Sequence, residues 1–348
     1  MSPGSGADGP ERLRRYDRRV DLDVVFLGTS ASAPTARRNP SGLLIRRGGE
    51  RLLFDCGEGT QRQLLRSTVG LVDLEEIFLT HFHADHFLGL PGMLKTFALR
   101  AREVPLTIYG PPGLRALYDS MRVVFGRLPY PVELTEIHAG DSLQRDGYRL
   151  LAFPVDHGQN ALGYALVEDD RPGRFDVELA DTLGIPFGPA RGLLQRGEAI
   201  TLDDGTVVSP DAVLGEARSG RRVVYTGDTA PSTIVETMAT GADLLIHEAT
   251  FTREEADRAA DTQHSTAHDA ATIARNAGVR ILALTHISTR YFGSEIAEEA
   301  RAVFPNTVVP RDFDVIEVPF AERGEPTLIK LGARPERDAP NPSQSPPA

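Results

Sequence analysis

Three histidines and an aspartate fall within six positions at His81-Phe82-His83-Ala84-Asp85-His86, directly after the apolar run 77–79. Imidazole and carboxylate together suit zinc, manganese or iron. A loop leaving a strand can turn such neighbours inward together, whereas helical spacing would spread them around an axis. The chain holds nine histidines in all, so composition alone does not explain the cluster. Its only cysteine, Cys56, excludes an internal disulfide and any thiolate-rich zinc site. With no base beside it in sequence, Cys56 reads as a small packed residue and not a nucleophile.

Four residues cannot fill two metal sites, and further candidate ligands stand where apolar runs give way to loops. These are His157 in Asp156-His157-Gly158, Asp228 in Gly227-Asp228-Thr229, and His286 after 281–284. Taken singly, each has a plain reading as a turn or helix-cap residue. Together with the cluster they make a seven-residue set drawn from four strand ends.

The elements that must position this set are short. Alternating or β-branched runs predict strands over 22–27, 42–45, 51–55, 77–80, 106–109, 148–153, 161–167, 222–225, 243–247, 281–285 and 315–318. Helical periodicity is expected over 59–67, 87–101, 113–124, 233–239, 267–277 and 294–303. The mixture implies an α/β domain over 21–332, with helices on the outer faces of sheets. Polar, Pro-rich and Gly-rich sequence at 1–20 and 333–348 predicts disordered tails. One stretch, 169–198, breaks the rhythm: its Arg-Pro-Gly and Gly-Ile-Pro-Phe-Gly-Pro turns suggest a protruding arm, with a variable surface loop as the alternative.

Composition limits the partners. No apolar run approaches the roughly 20 residues that span a bilayer, and the first residues lack the apolar stretch of a secretory signal. A cytoplasmic protein without membrane attachment is therefore expected. The net charge of −11 weighs only weakly against a nucleic-acid partner, because metal sites concentrate carboxylates that the metal neutralises.

The His-x-His-x-Asp-His cluster followed by single His, Asp and His ligands resembles the metallo-β-lactamase superfamily, whose fold is an αββα sandwich of two facing mixed sheets. By that resemblance His81, His83 and His157 hold one zinc ion, Asp85, His86 and His286 the other, and Asp228 bridges them. A narrower resemblance is to the ribonuclease Z family of tRNA 3′-processing endonucleases. Pro34-Thr35-Ala36-Arg37-Arg38-Asn39 is similar to that family's Pro-x-Lys-x-Arg-Asn motif, with Ala36 where lysine is usual. His247-Glu248-Ala249-Thr250, His264-Ser265-Thr266 and the run from Thr285 to Tyr291 resemble its later motifs, and 171–198 resembles its tRNA-gripping arm.

The resemblance implies two zinc ions per subunit, with manganese as the alternative metal, and a precursor tRNA substrate cut by a homodimer. The cut leaves a tRNA 3′-hydroxyl and a trailer with a 5′-phosphate. Asp85 is then both ligand and the residue that orients or deprotonates the nucleophile, and His264 is expected to protonate or stabilise the leaving 5′ oxygen. Ser30, Arg38, Asn39 and Arg290 are the expected substrate contacts. His264 also has a structural alternative, since Ser265 and Thr266 are good caps for the following helix. Another hydrolase of the superfamily, acting on small phosphodiesters, sulfate esters or thioesters, would share the ligands without the arm. An inactive binding protein of the same fold is the alternative from another class.

Overall fold

The computed structural model describes residues 21–71 and 73–332. The tails expected at 1–20 and 333–348 lie outside the described residues. One sheet orders eight strands as β17-β16-β1-β2-β3-β4-β5-β6. In chain order these are β1 (Leu22–Gly28), β2 (Gly42–Arg47), β3 (Glu50–Phe54), β4 (Glu76–Phe78), β5 (Leu106–Gly110), β6 (Val132–Glu136), β16 (Val315–Glu317) and β17 (Thr327–Ile329). The other sheet runs β15-β14-β13-β12-β9-β8-β7. It comprises β7 (Ser142–Arg145), β8 (Tyr148–Pro154), β9 (Leu162–Glu168), β12 (Arg222–Tyr225), β13 (Leu244–Glu248), β14 (Ile281–Thr285) and β15 (Thr307–Val308).

Phe26, Phe54, Phe78 and Tyr109 from the first sheet meet Tyr164, Tyr225 and Ile246 from the second in a shared apolar layer. The helices α1 (Thr60–Arg66), α3 (Gly89–Leu99) and α4 (Leu114–Phe125) cover the outer face of the first sheet through Leu64, Met93, Leu94, Leu114 and Met121. On the outer face of the second lie α7 (Thr233–Ala239), α9 (Ala267–Ala277) and α10 (Gly293–Val303). This is the expected αββα sandwich. Both faces of each sheet are covered, which is why β1, β9 and β13 are buried along their whole length and show little alternation. The start of α9 is fixed by a capping box between Thr266 and Asp269, and left-handed Gly278 ends it.

Two differences from the sequence reading affect the site. The helix expected over 87–101 is found as α3, and part of the loop expected before it, with Asp85 and His86, forms a separate helical turn, α2 (Ala84–Phe87). Where the two meet, Gly89 lies so close to the Gly57 carbonyl that a Cβ would sit 2.0 Å from its oxygen. The excursion expected over 169–198 continues to 221. It carries α5 (Val177–Thr182), α6 (Pro189–Gln195) and a hairpin of β10 (Ile200–Thr201) and β11 (Val207–Val208). Its own small core joins Ala180, Ile185, Leu194, Ile200, Val208 and Val213. The hairpin strands, two residues each, are too short to stand out by periodicity.

Strand direction decides what each sheet edge carries. β12, β13 and β14 are parallel, with Tyr225 beside Ile246 and Glu248 beside Thr285. β9 is antiparallel to both β8 and β12. The ends of β8, β12 and β14 therefore share one rim, and β9 begins there. The end of β9 and the start of β12, between which the excursion is inserted, stand at the opposite edge.

Candidate metal centre

The seven expected ligands converge at that rim in two groups, His81, His83, His157 and Asp228, and Asp85, His86 and His286. Asp228 Oδ2 lies between them, 3.2 Å from His86 Nε2, 3.3 Å from His286 Nε2, 3.7 Å from His81 Nε2 and 3.8 Å from His157 Nε2. Asp85 Oδ2 is 3.2 Å from His286 Nε2 and 3.6 Å from His86 Nε2. His83 Nδ1 faces His157 Nε2 at 3.0 Å. His86 is fully buried, and His81, His157, Asp228 and His286 are nearly so.

These donors fit a divalent metal on an observation independent of resemblance. His81 Nε2, His86 Nε2 and Asp228 Oδ1 are buried without a hydrogen-bond partner. Each such orphaned group costs about 1–3 kcal/mol, a penalty that coordination removes. Nitrogen and carboxylate oxygen donors with no thiolate suit zinc or manganese.

The far nitrogens of the rings are held by partners that sequence reasoning passed over. His86 Nδ1 pairs with Asp55 Oδ2 at 2.8 Å. Asp55 also accepts from the Thr80 N–H and the Tyr225 hydroxyl. His157 Nδ1 faces the Gln263 carbonyl, and His286 Nδ1 the Thr250 hydroxyl, each at 2.8 Å. Such outer partners fix ring orientation and tautomer. Asp55 gave a signal that could have been used, a carboxylate at the end of an apolar strand beside Cys56; the Gln263 carbonyl belongs to the backbone and gave none. Cys56 is buried, as expected, and burial pushes its thiol well above the ordinary range.

His264 faces the same space but is held differently. Its Nδ1 pairs with Glu248 Oε1 at 2.8 Å, and its ring stacks on His286 with centroids 5.4 Å apart. Burial opposes a charged ring, yet Glu248 outweighs it and pushes the pKa up to about 9. His264 also lies within coordinating reach of Asp228 and His286, although the two groups above are complete without it. The segment around it works as a brace: Gln263 supports His157, His264 meets Glu248, and Ser265 donates to the Thr229 carbonyl at 2.7 Å.

Asp85 is gripped from two loops. Its Oδ2 accepts the Ser32 N–H at 2.8 Å besides approaching His286. Burial alone would raise its pKa, but the bond to His286 and the nearby His86 hold it well below the usual carboxylate range. Ser32 and His286 both have positive φ, at 53° and 54°. Backbone bonds from Ile287 to Thr29 and from Ala31 to Ile287 hold this unusual turn in place.

The four expected substrate contacts all have partners within the chain. Ser30 is fully buried and donates to the Ala33 carbonyl at 2.7 Å. Arg38 donates to the Thr29 hydroxyl at 2.6 Å and the Pro310 carbonyl at 2.9 Å. Asn39 donates to the Glu58 carbonyl at 2.7 Å, and Arg290 pairs with Glu255 at 2.5 Å. Motif residues at 30–39 thus shape the loop that presents Ser32 to Asp85, because a loop beside a metal rim needs its own polar groups satisfied before it can hold a position.

Comparison with known proteins agrees with this geometry. A profile of the metallo-β-lactamase superfamily matches residues 36–286. Ribonuclease Z of Natronomonas pharaonis is 50% identical over 308 residues, covering 87% of this chain and all of that protein. Ribonuclease Z of Myxococcus xanthus is 48% identical over 305 residues, covering 86% of this chain and 99% of that protein. Among solved structures, human tRNase Z, short form, aligns with a TM-score of 0.62 at 29% identity, over 85% of this chain and 99% of its own. With the donor set, the sandwich and near full-length identity pointing the same way, the chain belongs to the ribonuclease Z family of the metallo-β-lactamase superfamily.

Proposed function

We propose that the protein is a metal-dependent endoribonuclease that removes the 3′ trailer from precursor tRNA, with two zinc ions per subunit. The observation that supports it most is the pairing of a complete seven-donor centre with a separately folded arm in a chain half identical to ribonuclease Z proteins. His81, His83 and His157 would hold one ion, Asp85, His86 and His286 the other, with Asp228 shared. When bound, such ions lower the pKa of a water and neutralise phosphoryl oxygens for in-line displacement.

The chain's own groups supply the rest. Asp85, oriented by the Ser32 N–H and His286, accepts a proton from the attacking water. His264, kept protonated by Glu248, delivers a proton to the leaving oxygen. A trailer that keeps its 5′-phosphate requires the P–O3′ bond to break, so the oxygen His264 serves is the tRNA 3′ oxygen, not the trailer's 5′ oxygen. Arg38, Asn39 and Arg290 shape the rim around this chemistry.

The domain reading keeps one hydrolase unit over 21–332 with an arm at 169–221. The arm springs from the edge opposite the metal rim, so a tRNA held by it reaches a centre most directly on a second copy of the chain. This supports a homodimer working in trans. No described helix is long and apolar enough to cross a membrane, and a tRNA substrate implies the cytoplasm.

The test is incubation of purified protein with an end-labelled, trailer-bearing tRNA precursor, with and without chelator. Cutting at the base of the acceptor stem with the stated ends, lost on chelation, is the expected result, together with two zinc equivalents per chain by elemental analysis. Hydrolysis of a small aryl phosphodiester with an untouched precursor would instead favour another hydrolase of the superfamily.

A further inference from the structure

Beside the metal rim, separated from it by the 30–39 and 286–292 loops, lies an open cavity of about 860 Å³. Arg37, Arg62, Arg66, Arg311 and Lys330 all line it. Among the described residues none of these five side chains makes a hydrogen bond or ion pair, although Arg66 lies over the Phe313 ring, 5.2 Å from its centroid. The two carboxylates of the lining are already engaged. Asp312 accepts from Thr29, Gln63 and the Asn39 N–H, and Asp314 accepts the Arg311 N–H. Arg311 and Lys330 are near enough to Asp314 to favour its charged form, which leaves Arg37, Arg62 and Arg66 without a carboxylate partner. Clustered cations repel one another, and a polyanion relieves that repulsion.

The lining also includes Phe292, whose side chain belongs to the ligand loop that begins at His286 and whose surface is 68% exposed. Cations that track a backbone, interleaved with an aromatic face, are what unpaired nucleic acid binds. A duplex offers its phosphates but not its base faces, which are stacked inside.

We infer that this cavity holds the unpaired RNA strand beyond the cut, with phosphates on Arg62, Arg66 and Arg311 and one base stacked on Phe292. The inference rests on the endonuclease reading, and it makes trailer length a determinant of affinity. The decisive measurement is KM for two precursors, one with a single-nucleotide trailer and one with a long unstructured trailer. Wild type should bind the long-trailer precursor roughly ten-fold better, the scale of one stacked base. Arg62→Gln with Arg66→Gln, or Phe292→Ala, should erase that advantage, while Arg62→Lys with Arg66→Lys should retain most of it. Absence of the advantage in wild type, or its persistence in both the glutamine and the alanine variants, overturns the inference.

If neither precursor is cut, the endonuclease reading fails on its own, and the cavity is still tested by fluorescence anisotropy of a labelled single-stranded oligoribonucleotide. Binding should weaken in the variants, resist competition by the same sequence as a duplex, and lose about 0.7 of its log–log salt slope per arginine removed. Equal binding by wild type and variants, or full competition by duplex, overturns it. A thermal melt of each variant separates lost binding from lost folding.

Discussion

The metal rim and the arm are built from opposite kinds of contact. Each ligand at the rim owes its place to residues far away in sequence: His86 to Asp55, His157 to Gln263, Asp85 to Ser32 and His286. The arm owes its form to neighbours. Asp176 caps α5, Pro189 starts α6, and the core of the arm is drawn from 175–213 alone. Its root is tied to the body through Arg171 and Arg218 on Glu322 and through Arg221 on Glu168. The centre is therefore a product of the whole sandwich, whereas the arm is a unit hung on it. Chemistry and grip should be separable by mutation.

The largest expected effect is at Asp85, a candidate ligand held by both the Ser32 N–H and His286. Asp85→Ala should bring hydrolysis of both precursor tRNA and a small phosphodiester to background while tRNA binding by gel shift persists. Near-normal turnover would remove Asp85 from the mechanism, and lost binding would show that the rim also supplies grip.

His264→Ala should lower kcat by about 10²–10⁴-fold, the usual contribution of an acid–base group, with both metal equivalents still present. Loss of one equivalent would make His264 a ligand and merge the brace with the centre.

Removing the arm tests the other side of the comparison. Arg171 and Arg218 are bridged across its stem, so excising 172–217 behind a short Gly-Ser linker leaves the root and all seven donors in place. Precursor cleavage should fall about 10²-fold in kcat/KM, the lower end of what tethering supplies, with hydrolysis of the small phosphodiester retained. Salt dependence of tRNA binding through the arm should be shallow, because Arg191 and Arg196 are paired with Asp181 and Glu198. Mixing arm-deleted and Asp85→Ala chains should recover activity that neither has alone; failure to do so speaks against action in trans.

The smallest effect is expected one bond away from the metals. Asp55→Asn keeps the packing but weakens the hold on the His86 ring, and should loosen metal binding by about 10–100-fold. Competition with a chelator reads this directly, and an unchanged affinity would show that the sandwich alone orients His86.

The seven donors were legible in the sequence because metal chemistry restricts residue type and because each sits just past an apolar run. The alternation of short strands and amphipathic helices implied only sheets with helices on their outer faces; the αββα sandwich came with the family resemblance of the donor cluster. Several elements were not legible. β6, β7, β15 and β17 lie towards the sheet edges, where partial burial leaves weak patterns, and the hairpin of the arm has two residues per strand. Position 30 was read as a substrate contact from its motif, but only packing shows that Ser30 is buried and turned to Ala33. The same limit hid Asp55, Gln263 and Ser32, since a hydrogen bond between residues dozens of positions apart leaves no local trace. Residue identity alone set which atoms can bind a metal; which nitrogen of each ring faces it, and which sheet edge carries the arm, were decided only when strand order and direction brought distant segments together.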